Sequence, residues 1–399
     1  MLYVGVDVGK RQHEAAMVSA DGEQIGQSLA FPNTQAGVDR LLARVDRQQA
    51  DQVVFGLEAT GHYWLALYSA LTAQGKDVKV INPIQSDSLR NLYVRVTKTD
   101  RQDAFLIAQV IRFGRFSNTL MAEEPVLQLR ELSRLRVELS ESVGDLKNRL
   151  TGLLDRIFPE FERHFSDPFG VTAVQVLTAY PTPQDVANAD LGELTQLLTA
   201  ASRGHLGKDR AEALQEAARH SFGITHGLDA FTLELRLLLA QVDFISRQID
   251  ELDNRIAELM QDHQLICSIP GVGPTLGAAI LGEIGDISRF PDARHLRAYA
   301  GLDATVHQSG QFQGSQARIS KRGSPYLRRA LWFAASVARM HDPHWRTVYE
   351  DKVAQGKAPT LAVTIVASRL CNVIFAVLST GLPYDPQRYA PSPPPLDIT

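Results

Sequence analysis

Apolar positions change their period along the chain, and each change marks a boundary. Residues 2–6 form a short apolar run with β-branched side chains. Residues 13–19 and 24–31 are candidate partner strands on either side of the turn signal Ala20-Asp21-Gly22. Residues 52–57 and 78–81 are further short strands, the second stopped by Asn82-Pro83. Between and after them, 34–45, 63–73 and 100–113 carry helical spacing. Three early strands, then alternating helix and strand, predict an α/β domain of RNase-H-like layout over residues 1–115.

The period then lengthens. Over 231–262 the apolar positions Leu235, Leu238, Val242, Ile245, Ile249, Leu252, Ile256 and Leu259 alternate spacings of three and four, with charges between them. That is a heptad seam. Over 125–155 a looser seam, Leu132, Leu135, Leu139, Val143, Leu146, Leu150 and Leu153, carries one stutter at 139–143. The two coiled-coil helices could pair with each other or across protomers. Residues 156–230 form an insert broken by Pro159, Pro168, Pro181 and Pro183, with short helices at 190–201 and 208–219 and no chemical motif. Residues 263–390 read as a mostly helical C-terminal domain, and the proline-rich 391–399 as a disordered tail. No stretch is read as reaching the roughly 20 apolar residues that span a bilayer, and the N-terminus lacks the character of a signal peptide.

Composition is globular: 399 residues, 44% hydrophobic and 22% charged, enough for two or three domains. Cys267 and Cys371, the only cysteines, exclude a disulfide scaffold and a cysteine-rich metal site. The net charge of −4 does not by itself suggest a nucleic-acid binder, but its distribution says more. From Arg289 to Arg346, ten Lys/Arg stand against three Asp, a local +7. Such an excess suits a polyanion, or else a solvated helical face.

Four carboxylates stand out. Asp7 ends Val4-Gly5-Val6-Asp7, and Glu58 ends Phe55-Gly56-Leu57-Glu58, each directly after a predicted strand. Asp100 and Asp103 lie three apart at the start of a predicted helix and share one face of it. If the strands are neighbours and the helix crosses their ends, the four converge. Such a cluster repels itself unless cations fill it, and hard oxygen ligands suit magnesium, with manganese as a substitute. Two-metal sites of this kind clamp the attacking and leaving oxygens of a phosphodiester. Taken singly, each residue could instead be a cap or a favourable first-turn charge.

Two further segments carry chemistry. Ile269-Pro270-Gly271-Val272-Gly273-Pro274 has the helix-hairpin-helix form, in which Gly271 and Gly273 let backbone N–H groups approach a phosphate; the alternative is a tight interhelical turn. Ser309, in a glycine-bounded polar loop, precedes the basic run Arg318, Lys321, Arg322, Arg328 and Arg329. A serine attacks a phosphodiester only when the phosphate charge is neutralised and the hydroxyl oriented. Ser315, Ser320 and Ser324 compete for that role, the last two having the look of helix caps, and His307 could serve as a base.

Together these motifs resemble the DEDD transposases of bacterial insertion sequences, the group that includes the pilin-gene invertase and bridge-RNA-guided recombinases. The resemblance rests on Gly5-Val6-Asp7, Glu58-Ala59-Thr60-Gly61, Ile81-Asn82-Pro83, Lys98-Thr99-Asp100-Arg101-Gln102-Asp103-Ala104, Ile269-Pro270-Gly271-Val272-Gly273, Ala300-Gly301-Leu302, Ile319-Ser320-Lys321-Arg322-Gly323 and Leu327-Arg328-Arg329-Ala330-Leu331. It implies a RuvC-like domain holding magnesium through Asp7, Glu58, Asp100 and Asp103, and a transposase domain whose nucleophile is Ser309. It also implies a phosphoserine intermediate, a composite site shared between protomers of a dimer or tetramer, DNA donor and target, a guide RNA encoded by the element, and a cytoplasmic, nucleoid-associated location. Where many relatives carry a proline after Ala300-Gly301-Leu302, this chain has Asp303-Ala304, and the insert at 156–230 places it with longer members. No nucleotide-binding P-loop is present, as expected if the phosphoserine conserves the bond energy. The competing readings are a metal nuclease such as a junction resolvase, in which water attacks and Ser309 is incidental, and a nucleic-acid-binding protein without catalysis.

Overall fold

The computed structural model describes residues 1–59, 62–81, 99–114, 124–303 and 319–389, together with the backbone of 308–309 and 312–313. The chain divides into two units, 1–121 and 122–399.

The first unit is built on five strands: β1 (Leu2–Asp7), β2 (Gln12–Ser19), β3 (Leu29–Pro32), β4 (Val53–Glu58) and β5 (Asp77–Ile81). Their order is β3-β2-β1-β4-β5. β1, β2 and β3 form an antiparallel meander, while β4 and β5 add in parallel to β1. This is the RNase-H-like layout the element order predicts. Helices α1 (Gln35–Asp46) and α2 (Trp64–Thr72) make the parallel crossovers, which need a helix-sized connection. β3 is shorter than expected. Gly26 adopts φ 68° and breaks the segment, leaving only an isolated bridge from Gln24 to Val18.

Strand alternation sorts the sheet into two faces. Leu2, Val4, Val6, Phe55, Leu57, Val78 and Val80 join Leu41, Leu42 and Leu67 of α1 and α2 in one core. Tyr3, Val54 and Ile81 point the other way, onto Ile107 and Ile111 of α3 (Asp100–Phe113). The close approach of α3 explains a glycine. A Cβ on Gly5 would stand 2.2 Å from the Ala104 carbonyl oxygen and 2.3 Å from the Ala108 nitrogen, both backbone atoms that cannot move aside alone. Gly5→Ala is therefore expected to destabilise the unit by about 1–3 kcal/mol, read as a lower midpoint in denaturant. An unchanged midpoint would show that α3 does not rest on β1.

In the second unit α4 (Glu124–Ile157) and α9 (Leu228–Leu259) pack on each other along their length. Arg136 of α4 forks onto Asp253 of α9 at 2.6 and 2.9 Å, and Arg149 lies 3.7 Å from Glu234, so the helices run antiparallel. The two heptad seams thus meet within one chain. Leu146, Leu150 and Leu153 share a core with Leu235, Leu238 and Val242 and with the insert helices α5 (Val171–Ala179), α6 (Pro183–Asn188), α7 (Leu191–Ala201) and α8 (Lys208–Arg219). At the other end Leu129 and Ile256 enter the C-terminal core. The middle of the seam, at Leu139, Val143, Ile245, Ile249 and Leu252, is only half-buried.

That C-terminal core is formed by α10 (Pro274–Ile284), α11 (Ala293–Tyr299), α12 (Pro325–His341), α13 (Pro343–Ala354) and α14 (Pro359–Thr380). α14 corrects one expectation. By length and composition its 22 residues could cross a membrane, contrary to the reading that no stretch is long and apolar enough. Here it packs on α11, α12 and α13, with Val366, Leu370, Cys371 and Ile374 fully buried. Burial pushes the Cys371 thiol up to about 12, which leaves it unreactive. The proline-rich tail 391–399 lies outside the described residues.

Candidate active site

The four predicted carboxylates gather at one end of the first unit's sheet. β1 and β4 are hydrogen-bonded neighbours in parallel register, Val6 beside Leu57, so Asp7 and Glu58 end adjacent strands at the same edge. Both lie on the face that alternation assigns to α3, two residues beyond Gly5 and Gly56. α3 runs back along β1. At its start, Arg101 lies 3.8 Å from Glu14, which pairs with Asp7 in register. Near its other end, Gln109 donates to the Gly22 carbonyl beyond the far end of β2, at 2.8 Å. The first turn of α3, with Asp100 and Asp103, therefore stands at the Asp7 end.

The helix start is fixed by Thr99, whose hydroxyl accepts from the Gln102 N–H. Capping by Thr99 leaves neither aspartate in that role, and both fall in the first turn, where the helix dipole favours negative charge. The i, i+3 pair divides by environment: Asp103 is buried at 7% exposure and Asp100 is exposed. Glu58 does not cap the next helix either, since α2 begins after Tyr63.

One carboxylate escaped the sequence reading. Glu14 is buried and sits directly opposite Asp7, on the same face. Its pairing with Arg101 ties the first turn of α3 to the sheet. The signal was present as an acid inside the apolar alternation of β2. His13, its neighbour, is buried against Phe31, and its Nδ1 accepts from the Gly9 N–H at 3.2 Å, which fixes the turn that follows Asp7. Burial holds the imidazole pKa below its usual value.

Five carboxylates at one edge form a donor set of hard oxygens, which suits a divalent cation such as magnesium. The fit is one of donor chemistry and common edge. Among the described residues, no three Asp, Glu, His or Cys side chains close on a single ion-sized point.

The predicted second half of the chemistry falls in the C-terminal region. Ser309 belongs to β6 (Gln308–Ser309), which pairs with β7 (Phe312–Gln313), Ser309 opposite Phe312. His307, Ser315 and Arg318 fall outside the described residues. Ser324 caps α12 as predicted, accepting from the Leu327 N–H at 3.0 Å. Ser320 caps no helix; its hydroxyl donates to the Asp303 carboxylate. The basic residues divide. Lys321 and Arg322 are exposed. Arg328 donates to the Ala300 carbonyl at 3.2 Å, and Arg329 pairs with Glu141 of α4 at 2.7 Å, so both already have protein partners. Gly273 opens α10 with no atom within 4 Å of a Cβ built there, but a Cβ on Gly271 would stand 2.2 Å from the Ala334 carbonyl of α12. The glycine requirement at 271 thus follows from helix packing.

A buried network that sequence alone did not reveal anchors this region. Glu283, 1% exposed, accepts from Arg134 at 2.6 Å and from the Ser324 hydroxyl at 2.6 Å, and Arg134 also stacks on Tyr326. One carboxylate thereby joins α4, α10 and the start of α12. Removing it leaves a buried hydroxyl and a half-buried guanidinium without their acceptor. Glu283→Leu is expected to destabilise the second unit by about 3 kcal/mol, measured by denaturant unfolding. A loss below about 1 kcal/mol would show the network to be dispensable.

Two family models match the chain. A transposase model covers residues 4–159. The model of the transposase IS116/IS110/IS902 family covers residues 263–350. The 44.8 kDa protein of insertion element IS116 from Streptomyces clavuligerus is 30% identical over 98% of this chain and 97% of its own length. The pilin gene-inverting protein of Moraxella bovis is 26% identical over 96% and 97%. A solved RuvC from T. thermophilus, in complex with a Holliday junction substrate, matches 29% of this chain and 98% of its own at 16% identity, with a TM-score of 0.23. The RNase-H-like fold follows from the strand order itself. The chain is a transposase, an enzyme that cuts and transfers DNA strands. It belongs to the IS116/IS110/IS902 family of insertion-sequence transposases.

Proposed function

We propose that this transposase cuts and rejoins DNA through a phosphoserine intermediate. The Ser309 oxygen attacks the scissile phosphorus and the bond to the 3′ oxygen breaks. The serine proton leaves to a base or solvent, and the departing 3′ oxygen is protonated to a hydroxyl. Rejoining reverses this on a new partner, whose 3′-hydroxyl displaces the serine, so no ATP is consumed. Asp7, Glu58, Asp100 and Asp103 hold magnesium, with manganese a substitute, which supplies positive charge at the scissile phosphate. Lys321 and Arg322 hold nucleic-acid phosphates. The partners are donor and target DNA, an RNA encoded by the element, and further copies of this chain in a cytoplasmic dimer or tetramer. The observation that carries the reading is the gathering of Asp7, Glu58 and the first turn of α3 at one edge of an RNase-H-like sheet.

Covalent capture tests it. The protein, RNA transcribed from the element's flanks, end-labelled junction DNA and magnesium are mixed, denatured and separated. The expected result is label migrating with protein, dependent on magnesium and absent from Ser309→Ala. Cleavage without an adduct, unchanged in Ser309→Ala, would leave a metal nuclease instead. For the basic pair, Lys321→Ala and Arg322→Ala should each lower the slope of log affinity against log salt by about one. An unchanged slope would remove that residue from the nucleic-acid surface.

A further inference from the structure

The turn between β1 and β2 continues directly from Asp7, at the edge where the carboxylates gather. It begins Val8-Gly9-Lys10-Arg11 and carries no acid before Glu14. Lys10 and Arg11 are both exposed, and among the described residues neither side chain has an acidic partner.

The backbone of this turn is tied down on several sides. Val8 is buried in the core beneath the sheet. The Gly9 N–H donates to His13 Nδ1 at 3.2 Å, and a Cβ on Gly9 would stand 2.4 Å from the Gln12 carbonyl oxygen. Asn33, just past β3, donates its side-chain N–H to the Lys10 carbonyl at 3.3 Å and its backbone N–H to the Arg11 carbonyl at 3.0 Å. Two cations are thus presented to solvent from a fixed backbone, three and four residues beyond Asp7.

The charge at this edge shows what they can do. A group of carboxylates repels the phosphates of an approaching strand. Arg101, 3.8 Å from Glu14, offsets that acid. A pair of divalent cations, the number that clamps a phosphodiester in sites of this kind, would offset the other four and no more. Net attraction for a polyanion then has to come from neighbouring cations, and Lys10 and Arg11 are exposed cations on the chain that leaves Asp7.

We propose that Lys10 and Arg11 hold phosphates of the DNA strand that lies along the carboxylate edge, beside the phosphate to be cut. The inference rests on the reading of that edge as the site of DNA cleavage. It does not depend on whether serine or water attacks.

The test measures binding of the full chain to duplex DNA carrying the element's end, without divalent metal, over a series of potassium chloride concentrations. Lys10→Ala and Arg11→Ala are each expected to lower the slope of log affinity against log salt by about one, and the double variant by about two. Lys10→Arg and Arg11→Lys keep the charge and should keep the slope. Unfolding midpoints should stay at the wild-type value, since both side chains are exposed. Asp7→Asn and Glu58→Gln report on the edge itself. Each removes one repelling charge, and without metal each should tighten DNA binding by about 2- to 10-fold. Tighter binding in these two variants with unchanged slopes in the alanine variants would overturn the proposal and leave the edge as the DNA site. Unchanged binding in Asp7→Asn and Glu58→Gln would overturn the reading of the edge, and the proposal with it. The same titration with RNA transcribed from the element's flanks is the remaining arm. A slope lost for RNA and kept for DNA would assign the turn to RNA and overturn the proposal, as would weaker binding that tracks a lower midpoint.

Discussion

Asp103→Asn is expected to lower DNA cleavage by about 10³-fold or more while leaving the first unit folded. The substitution keeps the size of the side chain but removes its charge. Asp103 is the buried member of the first-turn pair, on the helix that rests on Gly5. Two opposing effects act on stability. Loss of a negative charge at a helix N-terminus costs about 0.3–1 kcal/mol. Loss of one member of a like-charged group at the sheet edge returns a comparable amount. The net shift in melting temperature should therefore be a few degrees at most. Magnesium separates catalysis from folding. A ligand that binds only the folded state raises its stability in proportion to the logarithm of concentration over dissociation constant. Wild type should gain a magnesium-dependent increase in melting temperature that Asp103→Asn loses or sharply reduces. Undiminished cleavage, or an undiminished magnesium shift, would remove Asp103 from the metal-holding set.

The distinction between what the sequence disclosed and what it hid is physical. Strands β1 and β4 were readable because they are buried on both faces and so appear as continuous apolar runs. The acids that end them follow from those boundaries. The start of α3 was readable to within one residue, but the identity of the cap was not, since Thr99 and Asp100 are both good caps and only backbone geometry chooses. Glu14 was hidden because its significance depends on register: it matters only when paired opposite Asp7. The heptad seams gave two helices without their partner, because spacing records that a face is buried and not against what. Arg328, Arg329 and Ser320 look alike in sequence to residues free to meet a phosphate or cap a helix. Their bonds to Ala300, Glu141 and Asp303 span 28, 188 and 17 positions and exist only in the fold. Glu283 reads as one acid in an apolar helix, and its two partners lie 149 and 41 positions away. The long apolar run of α14 shows the same limit from the other side: composition cannot separate a protein core from a bilayer.

Mixing Ser309→Ala chains with Asp103→Asn chains is expected to restore cleavage that neither variant performs alone. The carboxylates belong to the unit 1–121 and Ser309 to the unit 122–399, so under the proposed mechanism each substitution disables one half-site and leaves the other intact. In a composite dimer, each active site takes carboxylates from one protomer and serine from its partner. A mixed dimer then contains one site with both halves intact and one with neither. Random pairing makes about half of the dimers mixed, so single-strand cleavage should recover to about a quarter of wild type. Reactions that need two working sites should stay silent. If each protomer instead supplied both halves of its own site, every site in the mixture would lack one half, and no activity would return. The covalent adduct identifies the arrangement independently. With the two variants tagged to different sizes, label should appear only on the Asp103→Asn chain, which keeps its serine and borrows its carboxylates. Label on the Ser309→Ala chain would refute Ser309 as the nucleophile, because that chain carries no hydroxyl at position 309.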